Sequence, residues 1–303
     1  MSFRKDYITK PIHKWAKGVL PTLSETEAEA VSSGDVHFEA ELFSGNPDWN
    51  KLRSVKAPTL TDAERAFIDG PCRAFCDMVD GWEIDKKTGD LPPEAWDFLR
   101  QKGFFGMIIP KEFGGLGFSA FAHSEVVRYI ASHNVVAAVT VMVPNSLGPG
   151  ELIHQFGTDE QRRQWLPDML GGDLLGAYCL SEAHAGSDPA AMRTTARRDG
   201  DEYVLDGAKT FISNGQIGDL FIVVAKTDPD ARPAHRGISL LLVEADTPGF
   251  QRGRKLDKLG LLGQDTSEIF FQDCRVPVAN LLGQEGQGFS MLMEKLQQER
   301  LSI

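Results

Sequence analysis

Cysteine is scarce. The 303 residues hold four (Cys72, Cys76, Cys179, Cys274), too few and too scattered for a disulfide framework. Basic charge is in deficit as well: 32 Lys and Arg against 43 Asp and Glu give a formal charge of −11. That balance argues against general affinity for nucleic acid and leaves room only for a local basic patch. No uninterrupted apolar run reaches the about 18 residues needed to span a bilayer, and nothing resembles a secretory signal. A reducing cytoplasm is the expected compartment. With 42% apolar and 25% charged residues the composition is that of an ordinary globular protein. Its length suggests two compact domains.

Several chemical signatures are also missing. No G-x-G-x-x-G follows a strand, and Gly283-Gln-Glu-Gly286-Gln-Gly288 has the wrong spacing for a dinucleotide fingerprint. Gly207-Ala-Lys209-Thr210 lacks the spacing of a phosphate-cradling loop. Gly186-Ser187-Asp188 lacks the second glycine of a nucleophile elbow. Cys72 and Cys76 sit one helical turn apart, a half-site for metal at most. With no histidine pair at ligand spacing, core packing is the better reading, and no metal site is expected.

Four segments are legible. Residues 1–58 are an N-terminal extension. Its first 20 residues carry Arg4, Lys5, Lys10, Lys14 and Lys17 against Asp6, interleaved with Phe3, Ile8, Ile12, Trp15, Val19 and Leu20. This is the pattern of a basic amphipathic segment that could lie against an anionic membrane. Pro11 and Pro21 argue against a continuous helix, and packing on the protein itself is the favoured alternative. Residues 24–57 turn acidic and irregular, an extended arm.

Residues 59–172 read as helical. Thr61-Asp62 can cap a helix over 63–79, kinked at Gly70-Pro71. Further helices are expected over 92–102, 119–132, 148–156 and 159–170, the last capped by Thr158. Residues 173–285 change period. Strands are expected over 177–180, 203–205, 210–213, 220–225, 238–243 and 268–271, with turns at Asp199-Gly200-Asp201, Asp206-Gly207 and Asn214-Gly215. Strands in succession without helices between them predict an antiparallel sandwich or barrel. Residues 286–303 return to helical spacing. The fold class is therefore α+β, an all-α domain followed by an antiparallel β domain.

Three clusters carry chemistry. The first runs from Tyr178 to Asp188, where a turn exposes backbone N–H groups around Gly186 and Ser187, with Ser181 and Ser187 adding hydroxyls. Such a turn can cradle a phosphate or the polar edge of a ring; it can also be a plain turn at a domain boundary. The second is Lys209-Thr-Phe211-Ile-Ser213. Phe211 and Ser213, two apart on a strand, share a face and could cover and bond a flat cofactor, although a strand aromatic is more often core. The third is the last helix, where Phe289, Leu292, Met293, Leu296 and Ile303 form an apolar stripe at roughly 100° per residue. Arg300 falls near the middle of that stripe and Glu299 at its edge. A carboxylate among apolar neighbours has a raised pKa, which suits a general base; a flexible Glu at a chain end is the alternative.

Together these clusters resemble the acyl-CoA dehydrogenase family. Cys179-Leu-Ser-Glu-x-x-Ala-Gly-Ser-Asp188 fits its signature, and Lys209-x-Phe-Ile-Ser-Asn-Gly215 resembles its flavin-covering strand, where tryptophan is commoner than Phe211. Lys255-Leu-Asp-Lys-Leu-Gly260 and Phe271-Gln-Asp-Cys-Arg-Val-Pro277 resemble later landmarks. Residues 1 to about 160, with Lys14-Trp15, Ser24-Glu-Thr-Glu27, Glu41-Leu-Phe43, Pro47-Asp-Trp49 and Val143-Pro-Asn-Ser-Leu-Gly-Pro-Gly150, look like the large bacterial fatty-acid members. From Tyr178 onward the chain looks like the long-chain and isovaleryl branch. The family normally continues into a C-terminal four-helix domain, of which this chain holds only the first helix.

The resemblance implies FAD lined by Tyr178, Cys179, Leu180, Ser181, Glu182, Ala183, His184, Ala185, Gly186 and Ser187, with Phe211, Ile212 and Ser213 flanking its ring. It implies acyl-CoA contacts from Ser187, His235, Arg236, Gln297, Gln298, Glu299 and Arg300, with Glu299 as catalytic base. The implied reaction is α,β-dehydrogenation of fatty acyl-CoA thioesters to trans-2-enoyl-CoA in fatty acid β-oxidation, with electrons passing to an electron-transferring flavoprotein. A homo-oligomer, dimer or tetramer, goes with the C-terminal domain. An acyl-CoA oxidase and a non-catalytic acyl-CoA- or partner-binding module are the rival expectations.

Overall fold

A computed structural model describes residues 3–32, 38–146 and 148–302; the side chains of residues 39, 40 and 297–302 lie outside the described set. The extension begins with a π-helical turn, Lys5–Thr9, that runs directly into α1 (Lys10–Val19). Pro11 therefore does not break the helix. The wider turn before it absorbs the missing N–H, and the helix stops at Leu20, before Pro21. Next come α2 (Glu25–Ser32), α3 (Glu39–Phe43) and α4 (Trp49–Ser54). The expectation that the first 20 residues pack on the protein is not met. Of residues 3–20, all but Asp6 and Ala16 are exposed.

The helical domain starts where a capping box predicts. The Thr61 hydroxyl accepts from Glu64 N, and the Glu64 carboxylate accepts from Thr61 N at 2.7 Å, opening α5 (Asp62–Phe67). The expected kink at Gly70-Pro71 takes the form of a π-turn, Ile68–Cys72, leading into α6 (Arg73–Asp77). Cys72 and Cys76 are buried against Phe75, Leu99 and Phe104, and among the described residues no metal-binding cluster forms around them. There follow α7 (Gly81–Glu83), α8 (Pro93–Lys102), α9 (Ala120–Ala131), α10 (Val135–Met142), α11 (Pro149–Phe156) and α12 (Asp159–Gly171). Helix α10 is absent from the sequence reading. Its Val-Val-Ala-Ala-Val-Thr-Val-Met is apolar on almost every side, so it carries no amphipathic period; the Asn134 side chain marks its start by accepting from Ala137 N. The stretch Val135–Phe156 is long and apolar enough to cross a membrane by composition, yet 71% of its apolar window is buried within the protein.

The β domain is one sheet of β1 (Gly176–Cys179), β2 (Thr195–Asp199), β3 (Glu202–Ser213), β4 (Leu220–Lys226), β5 (Ile238–Glu244), β6 (Phe250–Lys255), β7 (Thr266–Pro277) and β8 (Leu281–Leu282). The strand order is β6-β7-β3-β2-β4-β5-β8, with β1 added beside β4. Pairing is antiparallel except where β1 and one residue of β2 run parallel to β4. Strand β4 is apolar throughout because both of its faces are covered. Leu220, Ile222 and Val224 pack on α11, α12 and the last helix, α13 (Gly288–Ser302), while Phe221, Val223 and Ala225 meet β3 and β7.

Two expected strands, 203–205 and 210–213, are in fact one. Asp206-Gly207 is not a turn but a bulge inside β3. Gly207 adopts φ 153°, and a Cβ there would lie 2.4 Å from the Thr194 hydroxyl. Asp206 then accepts from Asp273 N at 2.8 Å across the irregularity. The strands β2 and β6 escaped notice because Thr-Ala-Arg-Arg-Asp and Phe-Gln-Arg-Gly-Arg-Lys are mostly polar and exposed.

Glu64 ties this domain together at its start, since its second oxygen accepts from Ser119 N at 2.7 Å, just before α9. That hydrogen bond, opposed by burial and joined by those from Thr61, holds the carboxyl down to about 2. Glu64→Ala removes the box and strands the Ser119 amide, with an expected cost of about 1–3 kcal/mol. Urea denaturation measures it; an unchanged midpoint would contradict the assignment.

Candidate cofactor and thioester site

The loop after β1 turns on itself. Glu182 N donates to Ala185 O at 2.9 Å, and Ala185 N returns to Glu182 O at 3.1 Å. The chain then passes through Gly186 and Ser187 to Asp188, whose carboxylate caps the short 3₁₀ turn Pro189–Ala191 by accepting from Ala190 N. What fixes this loop is the Glu182 side chain, and it points inward. Its carboxylate accepts from Arg193 N at 2.7 Å, Thr194 N at 3.0 Å, Thr194 Oγ1 at 2.6 Å and Lys209 Nζ at 2.9 Å. The Lys209 ammonium also donates to Leu180 O at 3.2 Å. One residue on, Thr210 N donates to Ser181 O at 2.9 Å. The loop and β3 are thus fastened at two adjacent points, one ionic and one backbone.

Both charges of the pair are out of water, with side-chain exposures of 0% for Lys209 and 3% for Glu182. Burial works against ionising Glu182, but the Lys209 charge and the hydrogen bonds from Thr194 and Arg193 outweigh it, and the carboxyl falls to about 2. Burial pushes the Lys209 ammonium down, and Glu182 opposes that shift. A pair so placed is expensive to break on one side, because the survivor is left as an unpaired buried charge.

Strand β3 carries the second cluster. Between Lys209 and Ile212 the register with β7 shifts, and Phe211 takes φ +60° with 69% of its surface exposed. A β-region phenylalanine would bury its ring. This one is held outward at a strain of about 1–3 kcal/mol. Ser213 is half-buried, its hydroxyl accepting from Gln264 Nε2 at 3.1 Å.

A cavity of about 950 Å³ opens beside the loop. Its inner wall is Leu180, Gly186, Ser187, Phe289, Met293 and Leu296, that is, the loop and one face of α13. Its outer wall comes from the extension: Ser24, Thr26, Glu27 and Ala30 line it. Thr26 Oγ1 lies 3.1 Å from His235 Nδ1, and the Ser290 hydroxyl donates to Glu29 at 2.9 Å. A smaller cavity of about 200 Å³, lined in part by Trp96, Asn214, Gln216 and Gln264, sits where the helical domain meets the end of β3.

The structure divides the residues expected at the site between the cavity wall, the core and the surface. Leu180, Gly186 and Ser187 face the large cavity. His184 is partly exposed, its Nε2 3.3 Å from the Glu182 carboxylate. Cys179, Glu182, Ala185 and Ile212 are buried, with Cys179 and Ile212 in the sheet core. Strand alternation and the inward pull of Lys209 turn these side chains away from the opening, so any contact with a ligand there is through backbone. His235 is buried against Phe289, ring centroids 5.2 Å apart, whereas Arg236 is exposed. Gln297, Gln298, Glu299 and Arg300 continue α13 one turn beyond Leu296, but their side chains fall outside the described residues. Sequence reasoning missed the wall from α2 and the pinning roles of Lys209 and Thr194. A lysine at a core-facing strand position was the available signal for the latter pair.

Glu182→Gln leaves the Lys209 ammonium opposite a neutral amide, at an expected cost of about 3–5 kcal/mol at neutral pH. The folded-state carboxyl titrates near 2 rather than 4.5. Its stabilisation is therefore complete above the ordinary carboxylate range and lost as pH falls toward 2. Denaturation midpoints of the wild type and the variant should converge through that window. Parallel curves would contradict the ionised pair.

Residues 61–173 match the family model of the acyl-CoA dehydrogenase N-terminal domain, and residues 177–274 match that of its middle domain. The mitochondrial long-chain specific acyl-CoA dehydrogenase of Sus scrofa is 39% identical over 300 residues, covering 95% of this chain and 66% of that protein. The Rattus norvegicus protein of the same name is 36% identical over 278 residues, 88% of this chain and 62% of its own length. The crystal structure of acyl-CoA dehydrogenase from Geobacillus kaustophilus superposes with a TM-score of 0.76 at 42% identity, covering 82% of this chain and 65% of that one. The chain thus spans a little under two thirds of the rat relative's length. The chain belongs to the acyl-CoA dehydrogenase family.

Proposed function

We propose that this chain binds FAD and fatty acyl-CoA and carries the α,β-dehydrogenation of the thioester. One observation carries the reading: a strained, solvent-facing Phe211 is pinned through Lys209 and Glu182 to a loop that opens Gly186 and Ser187 onto a cavity of about 950 Å³ with an apolar helical wall. An exposed aromatic face on a strand pinned to a loop of hydroxyls and glycine backbone suits a flat, phosphate-bearing cofactor. Ser181, Ser187 and the Gly186 backbone would hold FAD, with Phe211 covering its ring and Ser213 at the ring's edge. Bound FAD supplies the acceptor for the hydride that leaves the β-carbon.

The protein's own chemistry is proton removal and the exclusion of water. Phe289, Met293 and Leu296 would hold the acyl chain along α13. Glu299 is three residues beyond Leu296 on the same helix, which puts the two positions on one side. Its carboxylate would take the α-proton of the thioester. A long-chain substrate, an electron-transferring flavoprotein as acceptor and a homo-oligomeric assembly rest on the family resemblance.

Purified protein should be yellow and should bleach without oxygen when a fatty acyl-CoA is added. Glu299→Gln should keep the colour and lose the bleaching, by on the order of a hundredfold or more in rate. Retained bleaching would contradict the base. Peroxide without an added acceptor would assign an oxidase, and colourless protein that still binds acyl-CoA would assign a binding module.

A further inference from the structure

Residues 3–19 form a helical rod whose apolar side, among the described residues, is exposed. Phe3, Tyr7, Ile8, Ile12, Trp15 and Val19 are between 48% and 72% exposed. Within this rod Ile8, Ile12, Trp15 and Val19 follow one another at spacings of four, three and four, a single stripe. Lys10, Lys14 and Lys17, at spacings of four and three, lie with His13 on the opposite side. One acid, Asp6, is paired with Lys10 at 2.6 Å. The first 20 residues therefore carry a formal charge of +4, and the other 283 carry −15.

We propose that this helix docks in the plane of an anionic lipid surface, with Ile8, Ile12, Trp15 and Val19 at the acyl boundary and Lys10, Lys14 and Lys17 toward the phosphates. Charge and shape argue for that occupant. The acidic body is repelled by such a surface, and the separation of charge turns the helix toward it. Long lysine stems let the ammonium groups reach the headgroups while their carbons lie beside the apolar stripe. Trp15 has the amphipathic ring favoured at that depth. The stripe covers less than two heptads, too short for a coiled-coil seam. At about 1.5 Å per residue, the ten residues of α1 reach only about 15 Å, half a hydrocarbon core. The placement has a consequence for the site: five residues separate α1 from α2, whose Thr26 and Ala30 line the large cavity. A docked helix would hold the cavity rim near the source of acyl chains.

The test uses the full chain and vesicles of phosphatidylcholine with or without phosphatidylglycerol, read by cosedimentation and by the blue shift of Trp15 emission. Binding is expected only with phosphatidylglycerol and should weaken in high salt. The double variant I12E/W15E, on exposed positions, should lower partitioning at least about tenfold with an unchanged melting temperature. The triple variant K10Q/K14Q/K17Q should lower it by roughly a hundredfold at low salt and abolish the salt dependence. Equal partitioning of I12E/W15E and wild type would overturn the proposal. So would failure to bind vesicles combined with a dimer that I12E/W15E dissociates, which would give the stripe to a second copy of the chain.

Discussion

A carboxylate buried inside the β domain organises the functional end of this protein. Glu182 gathers two backbone amides, a hydroxyl and an ammonium from two separate stretches of chain: Arg193-Thr194 at the entry to β2, and β3. An irregular loop has no ladder partners for its amides, and water cannot reach this point, so a charged acceptor is the economical way to satisfy them. Lys209 neutralises the carboxylate. In doing so it brings β3 to the loop at the residue before Thr210, whose amide completes the attachment at Ser181. The loop side of the large cavity and the exposed Phe211 hang from these few contacts. The bulged turn that exposes Phe211 begins at Lys209, and the segment that exposes Ser187 begins at Glu182.

Much of the frame was legible in the sequence because it is written in local chemistry. Thr61 and Thr158 open helices through capping boxes with Glu64 and Gln161, and the Asn214-Gly215 turn ends β3 as its composition predicts. What stayed hidden depends on packing. Asp206-Gly207 carries the residues of a hairpin turn, and only the close approach of Thr194 shows that glycine serves a bulge in a continuing strand. Helix α10 is apolar on nearly all sides and so has no period to detect. Pro11 looks like a break in a helix until a π-turn takes up the lost hydrogen bond.

The site shows the same division. The motif around Glu182 marks the loop correctly as a place of interest, yet membership in a motif does not tell which side chains face out. Glu182, Cys179 and Ile212 turn inward and build the site, while Ser187 and Phe211 turn outward and form its surface. No local pattern announces that α2, which lies before the family-matched region at residue 61, closes one wall of the cavity. That wall depends on contacts between residues more than two hundred positions apart, Thr26 with His235 and Glu29 with Ser290. The extension is therefore two things at once: a helix turned to the outside and a strap built into the pocket.

The central claim is that the Glu182–Lys209 pair pins the loop to β3, and amide hydrogen exchange in Lys209→Met reads it directly. The account predicts that the amides of Thr210, Glu182 and Ala185 exchange at least about tenfold faster than in wild type, while those of the β4–β5 ladder keep their protection. Unchanged protection at Thr210 and Ala185, or a loss spread evenly over the whole sheet, would contradict it.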